Sequence, residues 1–261
     1  MKRYGLLITL GVLALLGFVL ATLPASVVGG QLARRGIQAT SYTGSVWTGT
    51  ATGVAWRGVP LGQVDWHIKP AALLRGLVAG QAHVTRDDGS LATDFSASFS
   101  GKVVQLSRVN LALPIEALAA LPLGMPKGWR GNIAAHFDSI VADQAWPVAL
   151  RGTLDLDGLV APPPRNAPLG SFHAVFPHPH PQASATTGAP LAPDALTAQV
   201  VDKGGPFSVD AQLTLGRDRV FLLEGTLAPR GAVPPAMERS LQLLGPADAS
   251  GRRAFSVGGT L

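Results

Sequence analysis

From Thr40 onward, glycine or proline interrupts the short apolar runs of the chain every eight to twelve residues. That rhythm suits antiparallel strands joined by tight turns and leaves little room for long helices. The 31 glycines and 21 prolines, about a fifth of 261 residues, exclude a helical bundle and fall short of low-complexity disorder. A turn-rich, mainly β protein follows. The clearest strand is Phe207–Leu215, in which Phe207, Val209, Ala211, Leu213 and Leu215 alternate with Ser208, Asp210, Gln212 and Thr214. Gly216, Arg217 and Asp218 then read as a hairpin loop into residues 219–227, predicting an antiparallel pair.

A phrase of the form apolar-x-apolar-x-Gly-Thr-Leu recurs at residues 148–154, 221–227 and 255–261. The offsets of 73 and 34 residues are too uneven for a solenoid of fixed period, so the phrase predicts similar strands reused within one continuous sheet. Its glycines, Gly152, Gly225 and Gly259, predict bulges, bends or close backbone approaches that would help the sheet curl. Helical pieces are expected to be few and short. Pro70–Arg75 is one turn stopped by Gly76, residues 114–121 lie between Pro114 and Pro122, and residues 235–244 start at a proline and end at Gly245. Residues 161–193 hold nine prolines around the run Phe176-Pro177-His178-Pro179-His180-Pro181, which predicts a long loop.

Apolar residues make up 47% of the chain and charged ones only 14%, a balance that points to a membrane segment. Residues 4–23 carry no charge, and twenty residues at about 1.5 Å each match a hydrocarbon core of about 30 Å. Lys2 and Arg3 precede this stretch and would stay in the cytoplasm, although Arg34 and Arg35 weakly oppose that orientation. A cleaved signal peptide competes, with small residues at Ala21 and Ala25. The apolar run exceeds the usual 7–15 residues of such signals, and Pro24 crowds both sites. The expected organisation is a cytoplasmic tail at 1–3, a transmembrane anchor at 4–23, a juxtamembrane linker at 24–39 and a periplasmic β domain at 40–261.

The absence of cysteine excludes a disulfide framework, a thiolate metal site and a cysteine nucleophile. The net charge of +5, two units of it from Lys2 and Arg3, is far below what nucleic-acid binding requires. His173, His178 and His180 form the one histidine cluster, but flanking prolines hold the backbone extended and no carboxylate lies among them, so no metal is expected. His67, His83 and His136 stand alone in strand-like segments. Asp87, Asp88, Asp155, Asp157 and Asp218 sit next to glycines or other turn residues, where turn chemistry accounts for them. No Gly-x-Ser-x-Gly elbow, phosphate loop, dinucleotide fingerprint or His-Glu-x-x-His motif occurs. Neither an enzyme nor a cofactor is expected. Three of the five tryptophans, Trp47, Trp56 and Trp66, fall within twenty residues and predict three short strands with turns at 49–53 and 58–62. They are the first candidates for a partner-contact surface, since aromatics are enriched in interface cores.

An anchor followed by Gly44-Ser45-Val46-Trp47-Thr48-Gly49 and then by residues 56–76, WRGVPLGQVDWHIKPAALLRG, resembles the type II secretion system protein N family, also called general secretion pathway protein N. Leu169-Gly170, the segment 201–206, the segment 243–248 and Gly251-Arg252 agree with the family in order. The resemblance implies a single-pass accessory component of the inner membrane, periplasmic at its C-terminal side. Such a component acts by contact with other type II secretion proteins in the export of folded proteins across the outer membrane. The segment 64–70 with Leu73, Leu74, Arg75 and Gly76 is also similar to the start of AsmA-like envelope proteins, which would imply an apolar β groove for lipid. A long apolar trough would favour that alternative, and a well-packed core with polar loops the first reading.

Overall fold

A computed structural model describes residues 22–118, 128–144, 146–164, 166–178, 180, 194–231, 241 and 244–260. Helix α1 spans Ser26–Arg34, followed by β1 (Ile37–Gln38), β2 (Ser41–Gly44), β3 (Thr48–Trp56) and β4 (Val59–Ile68). A 3-10 turn, Pro70–Arg75, leads into β5 (Leu77–Arg86), β6 (Gly89–Ser98), β7 (Val103–Pro114), the short helix α2 (Ile115–Leu118), β8 (Arg130–Asp143) and β9 (Trp146–Val160). Strands β10 (Pro168–Phe176), β11 (Leu196–Gly204), β12 (Phe207–Leu215), β13 (Val220–Pro229) and β14 (Arg253–Thr260) complete the described elements. From β3 to β14 the strands follow one another in chain order through one open antiparallel sheet, and β1 and β2 both pair with β3.

The chain divides into two compact units, Met1–Asp87 with Asp94–Phe99, and Asp88–Thr93 with Ser100–Leu261. In the second, register makes the sheet two-faced. One row across eight strands runs Leu111, Ala135, Leu154, Ala174, Val200, Ala211, Gly225, Phe255. The next row, on the opposite face, runs Asn110, His136, Thr153, Val175, Gln199, Gln212, Glu224, Ser256. Side-chain alternation therefore concentrates apolar surface on one face, and the core sits there, with Ala135 and Ala198 fully buried and Ala174 and Ala211 nearly so.

The expected β12–β13 hairpin is present, with Leu215 opposite Phe221 and nine pairs in continuous register. Gly76 stops the 3-10 turn in the left-handed conformation, as its sequence predicts. The first two repeat phrases, in β9 and β13, and residues 255–260 of the third, in β14, lie in one sheet, and Gly152 coincides with a register shift between β8 and β9. A Cβ on Gly152 would collide with the backbone of His136 and Phe137, and one on Gly225 would lie 2.5 Å from Ala211 Cα. Both positions are close approaches that any larger residue would open.

Several expectations are corrected. Gly49 and Gly53 do not form a turn: both lie inside β3, where a register shift between Ala51 and Val54 absorbs Gly53. Gly62 likewise lies inside β4, and the chain reverses at Arg57-Gly58. The stretch 24–39, expected to be a linker, carries α1 and β1. Two adjacent glycines hide this helix from propensity, but the ring of Tyr42 packs onto Gly29, and Gly36 stops the helix at φ 82°. Within the expected loop at 161–193, Pro168–Phe176 forms β10, because its prolines fall outside the run from Phe172 to Val175 that pairs on both sides.

Residues 4–21 of the expected anchor, residues 119–127, residues 181–193, and residues 235–240, 242 and 243 of the expected third helix lie outside the described residues. Thr22 is in a turn, and no described helix is long and apolar enough to cross a membrane.

Candidate partner-contact surface

The β3–β4 hairpin positions the three tryptophans, and it separates them. Trp66 stands opposite Gly49 in the register, close enough that a Cβ on Gly49 would lie 2.6 Å from the ring. Its Nε1 donates to the Val46 carbonyl at 3.0 Å. Trp47 lies at the same end, where its carbonyl accepts from the Ile68 amide at 2.6 Å and its own amide donates to Ser45 Oγ at 3.2 Å. Trp56 closes β3 at the turn end, opposite Val59 and about 20 Å along the strand from the other two. The Arg57 guanidinium sits 5.5 Å from its ring centroid, a cation–π contact. All three rings are half-buried. Trp66 is thus committed to covering a glycine, whereas Trp56 and Arg57 form a separate amphipathic tip. The opposite side of the hairpin is polar: Thr50 Oγ1 donates to Asp65 at 2.6 Å, and Thr48 Oγ1 bonds His67 Nδ1 at 2.9 Å. Hydrogen bonds from Thr50 and Gln63 hold the Asp65 carboxyl below its ordinary value.

The acidic residues divide. Asp87 and Asp88 occupy the β5–β6 turn, and Asp218 accepts from the Val220 amide in the β12–β13 turn, as turn chemistry predicts. Asp155 and Asp157 do not sit at a turn. They lie within β9, where Gly158 is taken up by an irregularity of the strand, its amide donating to Ser171 Oγ at 3.1 Å.

Three strands build a charged cluster there. His173 of β10 stands opposite Asp155 and bonds it at 2.8 Å, while Lys203 of β11 reaches Asp155 at 2.9 Å and Asp157 at 3.5 Å. Burial works to raise the Asp155 carboxyl, but the Lys203 and His173 hydrogen bonds outweigh it and hold the group below its ordinary value. Asp202, almost fully buried, accepts from the Val209 amide at 2.7 Å and pairs with Arg230 at 2.7 Å, tying β11, β12 and the end of β13 together. Sequence reasoning missed both arrangements because their members are far apart in the chain. Alternation along each strand could have supplied their faces, but not the register.

His173 is parted from His178 and His180, and no group of three metal-ligating side chains occurs among the described residues. The His178 amide instead donates to the Thr197 carbonyl at 2.9 Å, and burial, then the neighbouring His180, push its imidazole below its ordinary value. The described geometry therefore offers aromatic and charged contact groups on strands.

A family model described as "Type II secretion system (T2SS), protein N" matches residues 35–256. The chain is 26% identical to the type II secretion system protein N of Aeromonas hydrophila over 268 residues, covering 97% of this chain and 96% of that protein. It is also 26% identical to the type II secretion system protein N of Vibrio cholerae serotype O1 over 274 residues, covering the whole of both. No solved structure matches.

Proposed function

The chain belongs to the type II secretion system protein N family, and from that premise we propose that it is an accessory inner-membrane component of the type II secretion pathway. In this reading residues 4–23 anchor it in a single pass and the β region lies in the periplasm. It acts by contact with other secretion components rather than by catalysis. The observation that carries the reading is the extent of the family match, which takes in every strand from β1 to β13 and part of β14.

Trp47, Trp56 and Trp66 are the proposed contact residues, in two patches. Trp56 with Arg57 is the more available, because Trp66 already covers Gly49 and bonds Val46. Tryptophan and arginine are the side chains most enriched among interface hot spots.

One observation favours a second reading. The apolar row from Leu111 to Phe255 is the continuous feature that a lipid-handling, AsmA-like protein would need, and Leu154, Val200 and Phe255 within it are only half-buried. A crosslinking pull-down from native membranes separates the two. Secretion components recovered without stoichiometric phospholipid support the first reading. Stoichiometric phospholipid without those components replaces it with the second.

A further inference from the structure

β9 is longer than the strand beside it. It pairs with β8 from Trp146 to Val160, but β10 covers it only from Gly152 onward, so among the described residues no strand pairs with the second edge of residues 146–151. Across the gap, β11 begins at Leu196, and its register with β10 begins only at Gln199. Pro177 follows the end of β10, and His178 bonds the Thr197 carbonyl. Where β10 stops, the sheet lacks one strand among the described residues.

A cavity of about 390 Å³ fills this place, within the range of ligand sites. Its walls include the consecutive residues 148–151 of β9 and 195–197 at the start of β11. Successive side chains of a strand point to opposite faces. A cavity touching four in a row therefore meets the strand at its backbone edge, not on either face. At the same end Arg219 lies 5.6 Å from the Trp146 ring centroid, so the β12–β13 turn reaches the start of β9.

We propose that this slot is a strand-addition site: it takes an extended segment of a partner protein, which pairs with the free edge of β9 and sets a carboxylate opposite Arg151. The chemistry of the walls selects the occupant. A strand edge offers main-chain N–H and C=O groups that another peptide satisfies and an acyl chain does not. Val148, Leu150 and Leu196 supply apolar contacts, while Arg151 is exposed and, among the described residues, has no carboxylate partner. The neighbouring cations are engaged, Arg217 with Asp194 and Arg219 with Trp146. An opposite charge directly across two strands is favourable and a like charge is not, so the complementary segment alternates apolar residues with Asp or Glu. The proposal rests on the reading that the chain works by protein contact, and adds where and how the partner binds.

The test uses the full chain in native membranes, with the photo-crosslinker p-benzoylphenylalanine in place of Ala149. The expected result is an adduct with a type II secretion protein, mapped by mass spectrometry to an extended segment bearing Asp or Glu. Arg151→Glu lowers its yield about five-fold, and replacing the mapped carboxylate by lysine restores it. Wild-type protease resistance of Arg151→Glu certifies the fold; should it be lost, Arg151→Gln gives the same direction with a smaller loss. An adduct with lipid, with a second copy or with the chain itself overturns the proposal, as does a yield indifferent to charge at position 151. Secretion proteins co-purifying without any adduct at Ala149 sink the slot alone, whereas their absence from the pull-down sinks the functional reading beneath it.

Discussion

Each glycine of the recurring phrase faces a phenylalanine. Gly152 stands between Phe137 and Phe176, whose rings meet edge to face at 6.0 Å, Gly225 is opposite Phe255, and Gly259 is opposite Phe221. Gly49 beneath Trp66 repeats the arrangement in the first unit. A glycine leaves a gap in a sheet face, and a cross-strand aromatic fills it. The phrase was legible in the sequence. Its aromatic partners were not, because they sit on neighbouring strands at offsets that only the register decides. Gly225→Val, which forces a side chain against Ala211, is expected to cost about 1–3 kcal/mol in urea denaturation. Gly30→Ala is the contrast. It lies in α1 with open space at its Cβ position, and its expected effect is a gain of up to about 1 kcal/mol. Asp155 adds a pH dependence. Its folded pKa is depressed, so its contribution is present above the ordinary carboxylate value near 3.9 and is lost as pH falls through the lower folded value. The urea midpoint is expected to drop below about pH 4, and to drop less steeply in Asp155→Asn.

At the scale of elements, what could be read was what local chemistry decides alone. The β12–β13 hairpin combines strict alternation with a short polar turn, and the Pro70–Arg75 turn combines a starting proline with a stopping glycine. Misreadings arose where a glycine was taken for a turn and the sheet absorbed it, as at Gly53 in β3 and Gly158 in β9. β10 and α1 form because tertiary partners outweigh weak local signals, two flanking strands for the first and the Tyr42 ring for the second. The candidate contact surface shows the same division. Three tryptophans close in sequence suggested a single patch, yet antiparallel pairing sends Trp56 to one end of the hairpin and Trp47 and Trp66 to the other. Their substitutions are therefore expected to part. Trp66→Ala uncovers Gly49 and is expected to lower stability by about 2–4 kcal/mol, seen as an earlier melting transition. Trp56→Ala is expected to melt within a few degrees of the wild type while reducing secretion. Secretion at the wild-type level in a folded Trp56→Ala protein would remove this tip from the contact surface.

At the scale of the whole molecule, the proposed function joins two physical statements of different kinds. The β region is assigned by family match and by a register that segregates apolar from polar rows. The anchor is argued from hydrophobicity alone: twenty uncharged residues at 4–23 span about 30 Å as a helix, and Lys2 and Arg3 favour a cytoplasmic start. Contact with partners across the periplasm is strengthened by both, because an anchor confines the β region to the membrane surface and raises its effective concentration toward other membrane-held components. Alkaline phosphatase fused after the last residue is expected to be active, and the fusion is expected to resist carbonate extraction of the membrane. Replacing Lys2 and Arg3 by glutamate is expected to lower that activity by weakening the orientation signal. If the native protein instead starts near residue 22 or 26 by N-terminal sequencing and leaves the membrane in carbonate, the segment is a cleaved signal. The slot on β9 and the Trp56 tip would then act from solution in the periplasm, and affinity rather than tethering would have to hold the partner.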